Sequence, residues 1–144
     1  MGLYEMVETD PVLEQTGVIF NYPHLKLRIT AKRAGGANKG FNKALTRRSK
    51  DFQRALDLGA IDNDTMIALL QEVFADEVVV LWETFVDGEW KEGIEQRDGS
   101  LAPCTRENIL AAFKALPYVF HQLREDAEKH TFFLASLREA RAGN

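Results

Sequence analysis

Residues 25–32 read Leu-Lys-Leu-Arg-Ile-Thr-Ala-Lys, in which apolar side chains alternate with mostly basic ones. A period of two places the apolar set on one face of an extended chain and the basic set on the other. The stretch is therefore predicted to be a half-buried β-strand. The apolar run at 17–20 and the turn signal Asn-Tyr-Pro at 21–23 precede it. The N-terminal β elements are thus expected to be a β-hairpin or short strands.

An amphipathic helix is predicted directly after this strand, over 38–58. A double glycine ends the strand, Asn38 is a suitable N-cap, and apolar residues recur at helical spacing until Gly59. The aliphatic stem of Arg48 fills a gap in that apolar stripe. The opposite face of the helix is basic and carries Lys39, Lys43, Arg47, Lys50 and Arg54.

A second helix is predicted to begin at Asp62, whose carboxylate suits the positive end of the helix dipole. Apolar residues continue from Met66 through the run Val-Val-Val-Leu-Trp at 78–82 and on to Phe85. The β-branched run also fits a buried strand, because periodicity alone does not separate the two for a short apolar stretch. The continuous pattern, with no breaker before the Asp-Gly pair at 87–88, favours a helix inside the core.

The C-terminal half is predicted to contain a turn region followed by three helices. Residues 89–94, which lie between two Asp-Gly pairs, are expected to form a short hairpin or an ordered loop. Thr105 is a suitable N-cap for one helix, Pro117 suits the first turn of the next, and the aromatic residues at 132–133 belong to the last. The fold class is therefore predicted to be α+β and mainly helical, with about five helices.

The length of 144 residues predicts a single domain over 1–144. Residues 1–16 are mixed in polarity and acidic, with a proline at position 11, and are expected to form a loosely held N-terminal arm. The tail at 140–144 is expected to fray. The longest apolar run is far shorter than the ~20 residues of a membrane span, so no membrane association is expected.

The sequence carries no motif for catalysis, metal binding or cofactor binding. The single cysteine, Cys104, excludes an internal disulfide and a cysteine-based zinc site, and no motif supplies a base beside it. His121 and His130 do not have a known ligand spacing, and the Gly-rich stretch at 35–40 lacks the spacing of a phosphate-binding loop. The protein is therefore expected not to be an enzyme and to have no catalytic residues, metal site or cofactor.

The formal net charge of −4 conceals a strong asymmetry. Ten Lys or Arg and a single acid lie between Lys26 and Arg54, a net charge of +9, and the rest of the chain carries −13. This division favours binding to another macromolecule or to a second copy of the chain. Because the chain is acidic overall and its basic face has no aromatic residues, a protein partner fits better than nucleic acid. The candidate partner-binding residues are Lys43, Arg47, Arg48, Lys50 and Arg54.

Two stretches resemble the tail assembly chaperones of long-tailed, siphovirus-like bacteriophages. In the first, at 25–45, a strand ends in a basic pair, and small residues, Asn-Lys and an aromatic residue open a helix. The second, at 81–133, has Leu-Trp-Glu, an Asp-Gly turn, a proline, Thr-Arg-Glu-Asn, Leu-Pro-Tyr-Val-Phe and Phe-Phe in the order of that family. Together they cover about half of the chain. The sequence departs from the family at 102–104, where Ala-Pro-Cys stands in place of an aromatic residue after the proline.

The resemblance implies a small, mainly helical, non-enzymatic protein of the host bacterial cytoplasm. Members of this family bind the tape measure protein before the tail tube polymerises, keep it soluble and help to assemble the tail. The resemblance also implies self-association, so a homo-oligomer is expected, and it supplies no catalytic residues. The alternatives are a structural tail or connector subunit of the virion and, less favoured, a nucleic-acid-binding protein.

Overall fold

The structure is a computed structural model that describes residues 2–59 and 62–137, apart from the side chain of Asp51. Four antiparallel strands form its sheet and lie side by side in chain order. They are β1 (Val18–Tyr22), β2 (Leu27–Ala31), β3 (Val79–Val86) and β4 (Glu89–Glu92). The strand predicted at 25–32 is confirmed as β2, and its hairpin with β1 is confirmed by the pairing of Val18 with Ala31.

Helices make up most of the remaining chain, so the α+β, mainly helical fold class is confirmed. The described α-helices are α1 (Leu3–Val7), α2 (Pro11–Thr16), α3 (Lys39–Asp57), α4 (Asn63–Glu77), α5 (Arg106–Ala115) and α6 (Pro117–Glu128). Short 3-10 helices cover Pro23–Leu25 and His130–Phe133, and a small hairpin pairs β5 (Ile94–Glu95) with β6 (Leu101–Ala102). The last helix, predicted to include Phe132 and Phe133, is interrupted in the structure: these two residues end the 3-10 helix, Leu134 forms an isolated bridge with Thr9, and the described residues 135–137 are again helical. The predicted fraying at 140–144 lies outside the described residues.

The predicted helix starts are confirmed by their caps. The side chains of Asn38, Asp62 and Thr105 each accept a hydrogen bond from a backbone N–H in the first turn of α3, α4 and α5, respectively. Pro117 occupies the first turn of α6, where its missing N–H costs nothing. These positions could be read from the sequence because each cap is a contact between residues only two or three apart.

The helix predicted to continue from α4 to Phe85 is wrong, because residues 79–86 form β3. Ala31 of β2 pairs with Val79, and on its other side β3 pairs with β4 through Phe85 and Trp90. The Asp-Gly pair at 87–88 has positive φ at both residues, which is the geometry of a two-residue hairpin turn. The β-branched run therefore forms a strand, as its β-propensity favours, because two neighbouring strands provide hydrogen-bond partners for its backbone N–H and C=O groups.

The segment predicted to be a loosely held N-terminal arm is described by the structure over residues 2–16, and its two helices differ in how they contact the fold. The side chain of Asp10 caps α2 by accepting from Val12, and its backbone N–H donates to Phe133 over 2.8 Å. Glu14 of α2 is buried, while the residues of α1 are exposed. The second half of the segment is therefore fixed to the body of the fold by hydrogen bonds and by a buried carboxylate.

The hydrophobic core lies between one face of the sheet and the C-terminal helices. Trp82 of β3 contacts Phe113 of α5 with ring centroids 6.2 Å apart, and Phe20 of β1 contacts Phe133 at 6.1 Å. The hydroxyl of Tyr22 donates to Asp126 of α6 over 2.8 Å. These contacts define an inner face of the sheet, covered by helices. Burial and the bond to Asp126 raise the pKa of Tyr22 well above its usual value.

Candidate partner-binding surface

Helix α3 places most of the predicted partner-binding cations on one exposed row. Phe41 packs its ring edge-on against Phe74 of α4 at 5.8 Å, and this contact orients α3 on the fold. The cations on the outward side are separated by four, three and four positions, which aligns them along the helix over about 16 Å. This cationic row consists of Lys43, Arg47, Lys50 and Arg54, all of them exposed.

The charges of the cationic row are uncompensated in the described structure. Among the side chains that the structure describes, none forms an ion pair with any member of the row. The row ends near Leu58, an apolar side chain with 78% of its surface exposed. A line of cations followed by an exposed apolar residue matches an acidic partner that also offers an apolar contact.

Arg48 does not share this surface, although the sequence placed it among the binding residues. Its guanidinium turns toward α4, where Nη1 donates to Glu72 over 2.5 Å and Nη2 donates to Asp76 over 3.1 Å. Asp76 also accepts from Arg106 at the start of α5. Arg48 therefore joins α3 to α4, and Asp76 extends this network to α5 through Arg106. The sequence contained the signal for this role, because position 48 falls within the apolar stripe of α3 rather than on its basic face.

Replacing Arg48 with alanine is expected to lower the free energy of unfolding by about 1 kcal/mol, the upper range for partly exposed ion pairs. Replacing Arg47 with alanine is the matched control and should change stability by less than about 0.5 kcal/mol. Urea denaturation followed by circular dichroism measures both. Equal stabilities of the two variants would contradict the role assigned to Arg48.

Two other arginines between Lys26 and Arg54 also form ion pairs within the fold. Arg28 of β2 forms a two-point ion pair with Glu83 of β3, at 2.8 and 3.0 Å, and its guanidinium lies 4.5 Å from the ring centroid of Trp90. Arg33 forms an ion pair with the buried Glu14 at 2.6 Å. The sequence carries no local signal for these two pairs, because their acidic partners lie 55 and 19 positions away along the chain.

The remaining polar groups do not assemble into a metal centre within the described residues, where no cluster of three or more His, Cys, Asp or Glu could hold an ion. Cys104 is half-buried, and its thiol donates to the backbone oxygen of Trp82 over 3.1 Å. Burial is the main cause that raises the pKa of Cys104, which disfavours the reactive thiolate at neutral pH. None of the described helices is long and apolar enough to cross a membrane.

Comparison with known proteins adds one family match. A family model described as "YdaY prophage protein" matches residues 36–144, about three quarters of the chain, from the Gly-rich loop before α3 to the C-terminus. No curated protein and no solved structure matches the chain. The matched region includes α3 with its cationic row.

Proposed function

The chain belongs to the YdaY prophage protein family and is therefore a phage-associated protein, and from this premise we propose that it is a tail assembly chaperone. In this role it binds the tape measure protein through the cationic row of α3 and keeps that long helical protein soluble during tail assembly. The activity is binding without catalysis, in the host bacterial cytoplasm. The observation that carries the proposal is the row of four exposed cations without ionic partners among the described side chains.

The charge and spacing of the cationic row indicate which kind of partner it fits. A helix that presents an acidic side chain on successive turns offers carboxylates at about 5–6 Å spacing, close to the spacing of the cations on α3. Leu58 at the end of the row adds an apolar contact that a strand of nucleic acid does not require. Electrostatic attraction of this kind raises the rate of association, while the apolar contact slows dissociation.

The test is co-expression of the full chain with the tape measure protein of its own prophage, followed by pull-down and by measurement of the soluble fraction of the tape measure. The variant K43E/R47E/R54E reverses three charges of the row. It is expected to weaken capture at least about ten-fold, because each lost contact becomes a repulsion. The matched control is K26E/R97E/K114E, which reverses three exposed cations outside α3 and should bind like the unaltered chain.

Four outcomes would overturn the proposal. Equal capture of the tape measure protein by the α3 variant and by the control variant would show that the cationic row is not part of the interface. A tape measure that is equally soluble with and without the chain would remove the chaperone role. Recovery of the chain in purified particles by mass spectrometry would favour the structural tail or connector subunit instead. A salt-sensitive affinity for duplex DNA, without capture of the tape measure, would favour the nucleic-acid-binding alternative.

A further inference from the structure

The four-stranded sheet has a second face, directed away from the helical layer. Along β1, Val18, Phe20 and Tyr22 are buried, so the residues between them lie on the opposite side. The strand register assigns the residues of this outer face. They are Ile19 and Asn21 from β1, Arg28 and Thr30 from β2, Leu81, Glu83 and Phe85 from β3, and Trp90 and Glu92 from β4.

The outer face exposes large apolar side chains. Ile19 has 54% of its surface exposed and Phe85 has 37%, and Phe85 packs against the half-buried Trp90 with ring centroids 5.2 Å apart. Among the described residues, the ring contacts and side-chain hydrogen bonds that join helices to strand side chains, such as Tyr22 to Asp126, lie on the inner face. Aromatic residues and arginine on an open apolar face are typical of protein–protein interfaces.

The charges at the centre of the outer face are self-complementary. Arg28 and Glu83 stand directly opposite each other on the two central strands and form the two-point ion pair described above. A two-fold axis parallel to the strands, between β2 and β3, would lay β2 of one copy over β3 of another. Arg28 would then face Glu83 of the second copy, and each charge would gain another partner of opposite sign.

We propose that two copies of this chain associate through the outer faces of their sheets. The cationic row of α3 is a poor site for this contact, because it would bring like charges together. Four strands at ~4.8 Å spacing and five residues at ~3.3 Å give a footprint of about 300 Å² per copy. This footprint is small beside the roughly 800 Å² per partner of a standard stable interface, so the dimer is expected to dissociate in the micromolar range.

The test is sedimentation velocity of the full chain across a micromolar concentration series. R28E makes both residues of the central 28/83 pair acidic, and E83R makes both of them basic. Each variant alone is expected to dimerise at least about ten-fold more weakly than the unaltered chain. An equimolar mixture of the two should recover dimers, because the acidic face of one variant then meets the basic face of the other. Recovery on mixing separates the interface from a loss of folding, since each variant alone lacks its internal ion pair.

A second pair of variants tests the face without altering that ion pair. I19D introduces a charge on the outer face and is expected to abolish dimers while far-UV circular dichroism stays unchanged. Y118D is the matched control, at a similarly exposed residue beside a separate apolar groove of about 400 Å³ near α6. This variant should dimerise normally.

Several results would overturn the inference. They are a chain that stays monomeric at every concentration, a mixture of R28E and E83R that stays monomeric, or loss of dimers in Y118D and not in I19D. Loss of tape measure capture by I19D with unchanged sedimentation would assign the face to that partner instead. The inference is independent of the proposed function. The α3 variant K43E/R47E/R54E should keep its dimers, so failure of one proposal leaves the other testable.

Discussion

Replacing Arg33 with methionine is expected to lower the free energy of unfolding by about 3 kcal/mol, the range for removing one partner of a buried ion pair. Glu14 has only 3% of its surface exposed. Its carboxylate accepts from Arg33 over 2.6 Å and from the hydroxyl of Thr9 over 3.1 Å. Without the guanidinium, a buried negative charge retains one neutral donor. Methionine keeps most of the aliphatic stem, so the loss reports on charge rather than on packing.

Two controls separate this effect from a general change in charge. K32M removes the neighbouring half-buried cation and should cost less than about 0.5 kcal/mol. The double variant E14Q/R33M removes both charges and should be more stable than R33M alone, because no unpaired ion remains. Thermal unfolding should place the midpoint of R33M about 9 °C below that of the unaltered chain. A midpoint for R33M equal to that of K32M would contradict the prediction.

The loop after Arg33 is built around the same ion pair. Gly36 has φ of +53°, and a Cβ atom at this position would collide with the carboxylate of Glu14 and approach the Arg33 side chain. A phosphate-binding role is therefore not needed to explain the double glycine. Glycine is required there because backbone and carboxylate meet too closely for a side chain.

Replacing Phe120 with alanine is expected to cost about 4 kcal/mol, the central range for a buried phenylalanine. The ring is fully buried and lies 5.3 Å from Phe74 of α4 and 5.0 Å from Phe113 of α5, measured between centroids. Its removal therefore leaves a cavity where three helices meet. The rigid neighbours on α4 and α5 limit how far the structure can collapse into that space.

The size of this effect can be checked within the same helix. Tyr118 lies two residues earlier and is 53% exposed, so Y118A should cost less than about 1 kcal/mol. F120L preserves part of the volume and should have an intermediate cost of about 1–1.5 kcal/mol. Urea denaturation of F120A, F120L and Y118A gives their free energies of unfolding. These values can be compared when the free energy falls with urea concentration at the same slope in each variant. A loss below 2 kcal/mol for F120A would show that the junction repacks, against the prediction.

The sequence predicted those parts of the fold that local contacts determine. The starts of α3, α4 and α5 follow from Asn38, Asp62 and Thr105, since each of these residues caps its own helix. The hairpin of β1 and β2 follows from alternation and a nearby turn. Strand β3 was missed because its apolar run has no clear period, and its pairing with β2 joins distant segments. The Asp-Gly turn at 87–88 was the available signal.

The sequence predicts a basic, exposed face on α3, and four of the five candidate residues lie on that face in the structure. Lys43, Arg47, Lys50 and Arg54 lie together as helical spacing requires. Arg48 belongs to the contact with Glu72 and Asp76, which are separated from it by the turn between α3 and α4. The outer face of the sheet was not predicted at all. To identify this face one must know that Arg28 lies opposite Glu83 in the sheet. The sequence of neither strand alone shows that pairing.

The central strand pair also has a consequence for the order of folding. Ala31 of β2 meets Val79 of β3, and the whole of α3 and α4 lies between them in the chain. Closing so long a connection costs conformational entropy before any contact between the two strands forms to offset that cost. If α3 and α4 first fold against each other, the effective length of that connection becomes short. The helical pair is then the nucleus, and the sheet closes as the later, slower step.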